Sequence, residues 1–193
     1  MAKILYIKEG VSKGRVLIGV DDGEDVKALS VTESTYLAIG APTRYTELLQ
    51  RDLDSLITED ERYRAMKKAV SILAASDKSS YTLKMKLYQA GFSRESADEA
   101  VNECIGRGYI DEDRQLRRLI EREANESLRG RFYIKRKLVS KGYRGADIDR
   151  IINELTDIGE VDFDANFERL AEKKGALDDE ARLALKYKFG YKA

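Results

Sequence analysis

The densest chemistry in the chain is cationic. Arg129, Arg131, Lys135, Arg136 and Lys137 fall within nine residues, interleaved with Phe132, Tyr133 and Ile134, and Lys141 and Arg144 follow closely. Arg114, Arg117, Arg118 and Arg122 stand just upstream. Guanidinium forks and ammonium groups clustered in this way hold phosphates or acidic protein surface, and Phe132 or Tyr133 can stack on bases. The competing reading is a solvated helix face with Phe132 or Tyr133 turned into the core. The chain as a whole balances 35 basic against 35 acidic side chains, yet residues 114–150 hold 12 basic and 5 acidic, a block of +7 between acidic ends. Taken as a block, it favours an anionic partner.

Other reactive chemistry is sparse. The chain has no histidine, the commonest general base and metal ligand. It shows no glycine-rich phosphate loop, no serine or cysteine in a nucleophile setting and no paired cysteine ligands. Nothing singles out one carboxylate or lysine for catalysis. The expectation is a binding protein rather than an enzyme, with no metal and no cofactor. The single cysteine, Cys104, excludes an internal disulfide and falls on the apolar face of a helix, as a small core residue.

The elements that must position the basic block form a repeat. Residues 81–113 align without a gap on residues 132–164 at an offset of 51, with ten identities in 33 positions. Lys84 falls on Lys135, Lys86 on Lys137, Leu87 on Leu138, Gly91 on Gly142, Asp98 on Asp149 and Glu103 on Glu154. A fixed period implies a modular fold. In the first copy Ser79 or Ser80 caps a short helix with Leu83 and Leu87 on one face, ended by Gly91. Ser93 caps the next, whose Ala97, Ala100, Val101, Cys104 and Ile105 keep the 3.6-residue period until Gly106 and Gly108 stop it. The second copy repeats this with Ile134 and Leu138, then Ile148, Ile151, Ile152 and Leu155. One further helix precedes each pair, over residues 61–75 and about 114–128, making three helices per unit.

The joining phrase also recurs, as residues 108–113 and 159–164. A glycine closes one helix, an apolar residue tucks inward and an aspartate caps the next helix. These aspartates read as caps rather than as ligands, because an oxygen-ligated metal needs about six donors. At the same offset Phe167 and Leu170 fall on Leu116 and Leu119, and Leu185, Lys186, Lys188 and Phe189 on Ile134, Lys135, Lys137 and Leu138. The third unit is expected to hold two helices.

Residues 1–60 differ in kind. Three β-prone runs, residues 4–7, 15–20 and 25–29, are separated by turn chemistry at 11–14 and 21–24, which predicts an antiparallel sheet of about three strands packed on the following helices. A short helix after Thr32 ends at Gly40. Thr58 with Glu61 has the form of a capping box for the first repeat helix, unless that helix starts near Asp52. The expected division is a β-rich domain at 1–60, repeats at 61–112 and 113–163, and a truncated repeat at 164–193. No apolar run of 18 residues and no signal peptide is present, so a cytoplasmic protein is expected.

With the repeats, the joining phrase and the basic second unit in view, the sequence resembles the RecX family, regulators of the bacterial recombinase RecA. The resemblance runs over essentially the full length, through SSYTLKMKLYQAGF, GYIDEDRQL and LRGRFYIKRKLVSKGY in order. It implies a mainly α fold of tandem three-helix repeats in an elongated, curved array, with the small amino-terminal antiparallel sheet as an extension found in some members. It implies a non-enzymatic monomer in the groove of the RecA filament on DNA, inhibiting ATP hydrolysis and strand exchange in recombination, repair and the SOS response, with weak affinity for bare DNA and none for membranes. The chain departs from the family at Leu116 and Arg117, where many relatives have an aromatic followed by alanine, and in its two-helix third unit. Two other functions fit the same residues. A nucleic-acid-binding module independent of RecA predicts tight, salt-sensitive binding to bare DNA or RNA. A structural adaptor predicts indifference to charge reversal at Arg131, Lys135 and Lys137.

Overall fold

A computed structural model describes residues 2–192. Mainly helical, with a small antiparallel sheet at its amino-terminal end, it divides into two compact units, residues 2–74 with 84–106 and residues 75–83 with 107–192.

In the first unit, β1 (Ala2–Glu9), β2 (Arg15–Asp21) and β3 (Val26–Thr32) form consecutive hairpins, and β4 (Glu47–Leu48) joins the far edge of β1 in the order β3-β2-β1-β4. The sheet therefore has four strands rather than three, because a two-residue strand carries no readable alternation. The β2–β3 turn forms where its acidic residues predict: Asp21 and Asp22 carboxylates accept from the amides of Gly23, Glu24 and Asp25. Thr32 caps α1 (Glu33–Ala38), and Gly40 follows with φ +86°. One face of the sheet, with Ile4, Ile18, Val20, Leu29 and Val31 buried, packs with Leu53 and Leu56 of α2. This burial lets a small sheet persist.

Helix α2 (Gln50–Ala75) starts well before Glu61, so Thr58 and Glu61 form no capping box. Glu61 instead receives the Ser93 amide at 2.7 Å, the Ser93 hydroxyl at 2.9 Å and the Ser96 hydroxyl at 3.1 Å, at the start of α4 (Arg94–Gly106). The local signature was real, but its donors come from another helix. Cys104 is buried on α4, with its sulfur 4.0 Å from that of Met66.

The second unit contains α5 (Glu112–Glu121), α6 (Arg131–Ser140), α7 (Gly145–Asp157), α8 (Phe163–Lys174) and α9 (Asp179–Phe189). The unit division falls within α3 (Ser80–Gln89). Asp111 caps α5 and Asp162 caps α8, while Ile110 and Val161 are buried beside them, as the joining phrase predicts. The helix expected over 114–128 starts at Glu112 and widens at Arg122–Glu126 into a π-helical turn, from which the Asn125 side chain reaches the Glu160 carbonyl at 2.8 Å and Asn166 at 2.9 Å. Leu116, Ile120, Ile134, Leu138, Ile148, Ile151, Ile152 and Leu155 share one core. Tyr143 joins them, its hydroxyl donating to Gln115 at 2.8 Å, and burial, with Glu112 and Asp77 nearby, pushes its phenol up to about 12.

The start of α6 has no side-chain cap. Its amides are met by α9: Gly130 N–H donates to the Phe189 carbonyl at 2.9 Å and Phe132 N–H to the Gly190 carbonyl at 3.0 Å. A Cβ on Gly130 would overlap the Gly190 carbonyl. At the start of α3 it is side chains that donate, the Ser79 and Thr82 hydroxyls both bonding the Lys141 carbonyl at 2.8 Å. There Gly142 takes φ +85°, and a Cβ would lie 2.7 Å from Ser79 Oγ.

Burial alone would raise the Glu61 pKa, but its three hydrogen bonds and Arg64 outweigh this and hold the carboxylate below its usual range. Its contribution to stability is then complete above the unfolded-state pKa and lost as pH falls through the lower folded-state value. Glu61→Gln should lower the unfolding free energy at pH 7 by about 1–3 kcal/mol, with the difference from the parent shrinking below about pH 4, read from urea titrations across pH.

Candidate anionic-partner surface

The eleven cations singled out by sequence do not form one open patch. Seven are engaged by carboxylates of their own unit. Arg131 and Lys135 on α6 both approach Asp149 of α7, at 3.7 and 2.5 Å. Lys137 meets Glu123 at 2.7 Å, and Arg122 lies 3.8 Å from the same carboxylate. Arg117 pairs with Glu154, Arg118 with Asp77, and Arg144 with Asp147 at 3.6 Å. These pairs join α6 to α7, α5 to α7 and α6 to the π-helical turn.

Four remain without a carboxylate partner among the described residues. Arg129 is half-buried, its guanidinium 4.4 Å from the Tyr133 ring centre and 4.6 Å from that of Phe189. Arg114, Arg136 and Lys141 are exposed. Neither aromatic of the block is a core residue. Phe132 is 59% exposed, and Tyr133 is half-buried under Arg129, so the core placement suggested by the repeat register is corrected for both. The outward face of α6 thus carries Phe132, Arg136 and Val139 together.

One residue of this network escaped sequence reasoning. Arg150 on α7 bonds Asp113 at 2.7 Å and Glu154 at 3.1 Å, and these hydrogen bonds raise its already high pKa. Its signal was present in the repeat. Residues 62 and 99, at the same places in the first copy, are Arg62 and Glu99, a pair at 2.8 Å with the charges exchanged. The identity of Lys84 with Lys135 and of Asp98 with Asp149 carried similar information, since Lys84 and Asp98 also meet at 2.5 Å.

The fold and its charged faces define first a class: a mainly helical repeat protein with an amino-terminal sheet. Regulatory protein RecX of Lactobacillus johnsonii is 28% identical to it over 157 residues, 81% of this chain and 56% of that protein, so the chain spans little more than half of the relative's length. No protein-family model matches. A crystal structure of regulatory protein RecX superposes with a TM-score of 0.66 at 21% identity, covering 95% of this chain and 89% of that one. RecX from Lactobacillus salivarius gives 0.55 at 18% identity, covering 67% and 86%. The likeness to RecX read in the sequence thus has a sequence relative beside it, and the solved RecX structures share the fold.

The ion pairs separate structural cations from available ones. Lys137→Met leaves the buried Glu123 carboxylate with the more distant Arg122 as its remaining cation among the described residues and should cost about 1–3 kcal/mol in urea denaturation. Arg136→Met, on the exposed face, should change stability by less than about 0.5 kcal/mol.

Proposed function

We propose that this chain is a RecX-type regulator that binds the RecA filament on DNA and modulates it, mainly by inhibiting ATP hydrolysis and strand exchange, in recombination, DNA repair and the SOS response. It acts by binding alone, as a cytoplasmic monomer. The observation that carries this reading is the agreement of the RecX relative with a RecX fold over 95% of the chain. No helix among the described residues is long and apolar enough to cross a membrane.

The arrangement of charge suits a protein partner more than bare DNA. A surface for a duplex backbone needs many cations released to phosphate, whereas here most of the block is held by carboxylates. Arg114, Arg136 and Lys141 are the cations through which acidic protein surface or filament phosphate is met. A protein lying against adjacent protomers shifts the filament only by as much as it binds one state better than the other.

The test is RecA-catalysed, single-stranded-DNA-dependent ATP hydrolysis, titrated with this protein. Inhibition is expected well below concentrations that coat bare DNA, and Arg114→Glu with Lys141→Glu should weaken it about tenfold or more. Unchanged hydrolysis at saturating protein would overturn the proposal.

A further inference from the structure

The second helix of each copy keeps an apolar edge outside its core. On α6 that edge is Phe132, Arg136 and Val139, spaced four and three residues apart, with Phe132 59% and Val139 48% exposed. At the offset of 51 the same places on α3 are Tyr81, Met85 and Tyr88, of which Tyr81 is 59% exposed and Tyr88 half-buried. The core is served from other positions, Leu83 and Leu87 on α3 and Ile134 and Leu138 on α6. Packing therefore does not ask for apolar side chains on the outward edge, yet both copies hold them.

The edge of α6 has a second exposed aromatic close by. The Tyr81 ring adjoins Gly142, just past the end of the helix, where a Cβ would lie 2.9 Å from Tyr81 Cδ1. Phe132, Val139 and Tyr81 all belong to the second compact unit. Phe132 also borders the groove between α8 and α9, but its exposure is not that of an unfilled seat. Tyr81 holds the corresponding place before α5 and α6, where α7 fills the seat, and it remains exposed. The charge of the region is one-sided. Helix α6 has no acidic side chain, and Asp149 and Glu123 take its Arg131, Lys135 and Lys137. Arg136 on the edge and Lys141 beside Gly142 are left exposed, with no carboxylate partner among the described residues.

We propose that this face docks a protein surface presenting an apolar patch ringed by carboxylates. Phe132, Val139 and Tyr81 make the apolar contact, and Arg136 and Lys141 meet the carboxylates. Charge complementarity and the make-up of the edge favour protein over nucleic acid. A platform for single strands sets successive aromatics along a cationic groove. Here aliphatic Val139 separates the aromatics, and three cations of the same helix are held by carboxylates. Exposed apolar side chains gathered together, with arginine beside them, are the composition of a protein interface. The inference rests on the filament reading in taking the recombinase as the protein docked, and it assigns the contact to that protein's surface and not to the DNA.

The test uses the full chain and RecA filaments on single-stranded DNA with a slowly hydrolysed ATP analogue, read by co-sedimentation. Phe132→Ser with Val139→Ser should weaken filament binding about tenfold or more, by a similar factor at low and high salt. Arg136→Glu with Lys141→Glu should weaken it chiefly at low salt. The serine variant should keep the parent's affinity for bare single-stranded DNA. Independently of its stability, Phe132→p-benzoylphenylalanine, which retains an aromatic ring, should photo-crosslink to the recombinase and not to DNA. A parent chain that does not bind filaments overturns the filament reading and this inference with it. Filament binding that both double variants retain, an equal loss of affinity for bare DNA in the serine variant, or crosslinks to DNA overturns this inference alone.

Discussion

The docking of α7 onto α5 and α6, echoed in the first unit by the ties of α4 to Lys84 and Arg62, is the interaction on which the rest of the structure depends. Its stability is apolar: each fully buried Ile or Leu of α7 contributes about 1.5–3 kcal/mol, whereas a half-exposed pair such as Lys135 with Asp149 contributes about 1 kcal/mol at most. The pairs therefore do something other than hold the helix down. They set its register, because a one-residue rotation of α7 would carry Asp149 away from Arg131 and Lys135, and Arg150 away from Asp113. The charge exchange between Arg62–Glu99 and Asp113–Arg150 fits this role, since register needs opposite signs and not a given sign on a given helix.

The same device explains why a block of +7 does not make an open cationic surface. Arg117, Arg131 and Lys135 lie beside α7 because they position it. The close passage of α9 over the start of α6 takes up two more groups: Gly130, where no side chain fits, and Arg129, stacked between Tyr133 and Phe189. The exposed cations left over in the block are few, and one of them, Arg136, shares the outward face of α6 with the exposed Phe132 and Val139. A mixed apolar and cationic face suits recognition of protein surface, where apolar contact supplies affinity and charge supplies specificity.

Much of the helical fold was legible because its signals are local. The Asp111 and Asp162 caps, the glycines after α3, α6 and α7, and the 3.6-residue spacing of Ile148, Ile151, Ile152 and Leu155 are each decided within about one to three turns. What was not legible depends on distant partners. The Thr58 and Glu61 spacing suggests a helix start, but the carboxylate serves Ser93 and Ser96 more than thirty residues on. Strand β4 is defined by pairing with β1 alone. Lys135 looks like any surface lysine until Asp149 is beside it, although its identity with Lys84, matched by that of Asp149 with Asp98, marked an internal pair. Phe132 has an aromatic counterpart in Tyr81, and both are exposed, so agreement across repeats alone does not separate a core position from an outward one.

The central claim is that most of the basic block is committed to internal pairs, leaving a surface that reads a protein assembly rather than bare nucleic acid. The most direct measurement is the salt dependence of the full chain's affinity for bare single-stranded DNA. Because Arg114, Arg136 and Lys141 are the outward cations of the block, replacing all three by glutamine should flatten the fall of the logarithm of the binding constant with the logarithm of salt concentration by about 2, whereas replacing Arg131 and Lys135 should leave the slope unchanged. A flattening of similar size when Arg131 and Lys135 are replaced by glutamine would mean that the paired cations are released to phosphate and would contradict the account.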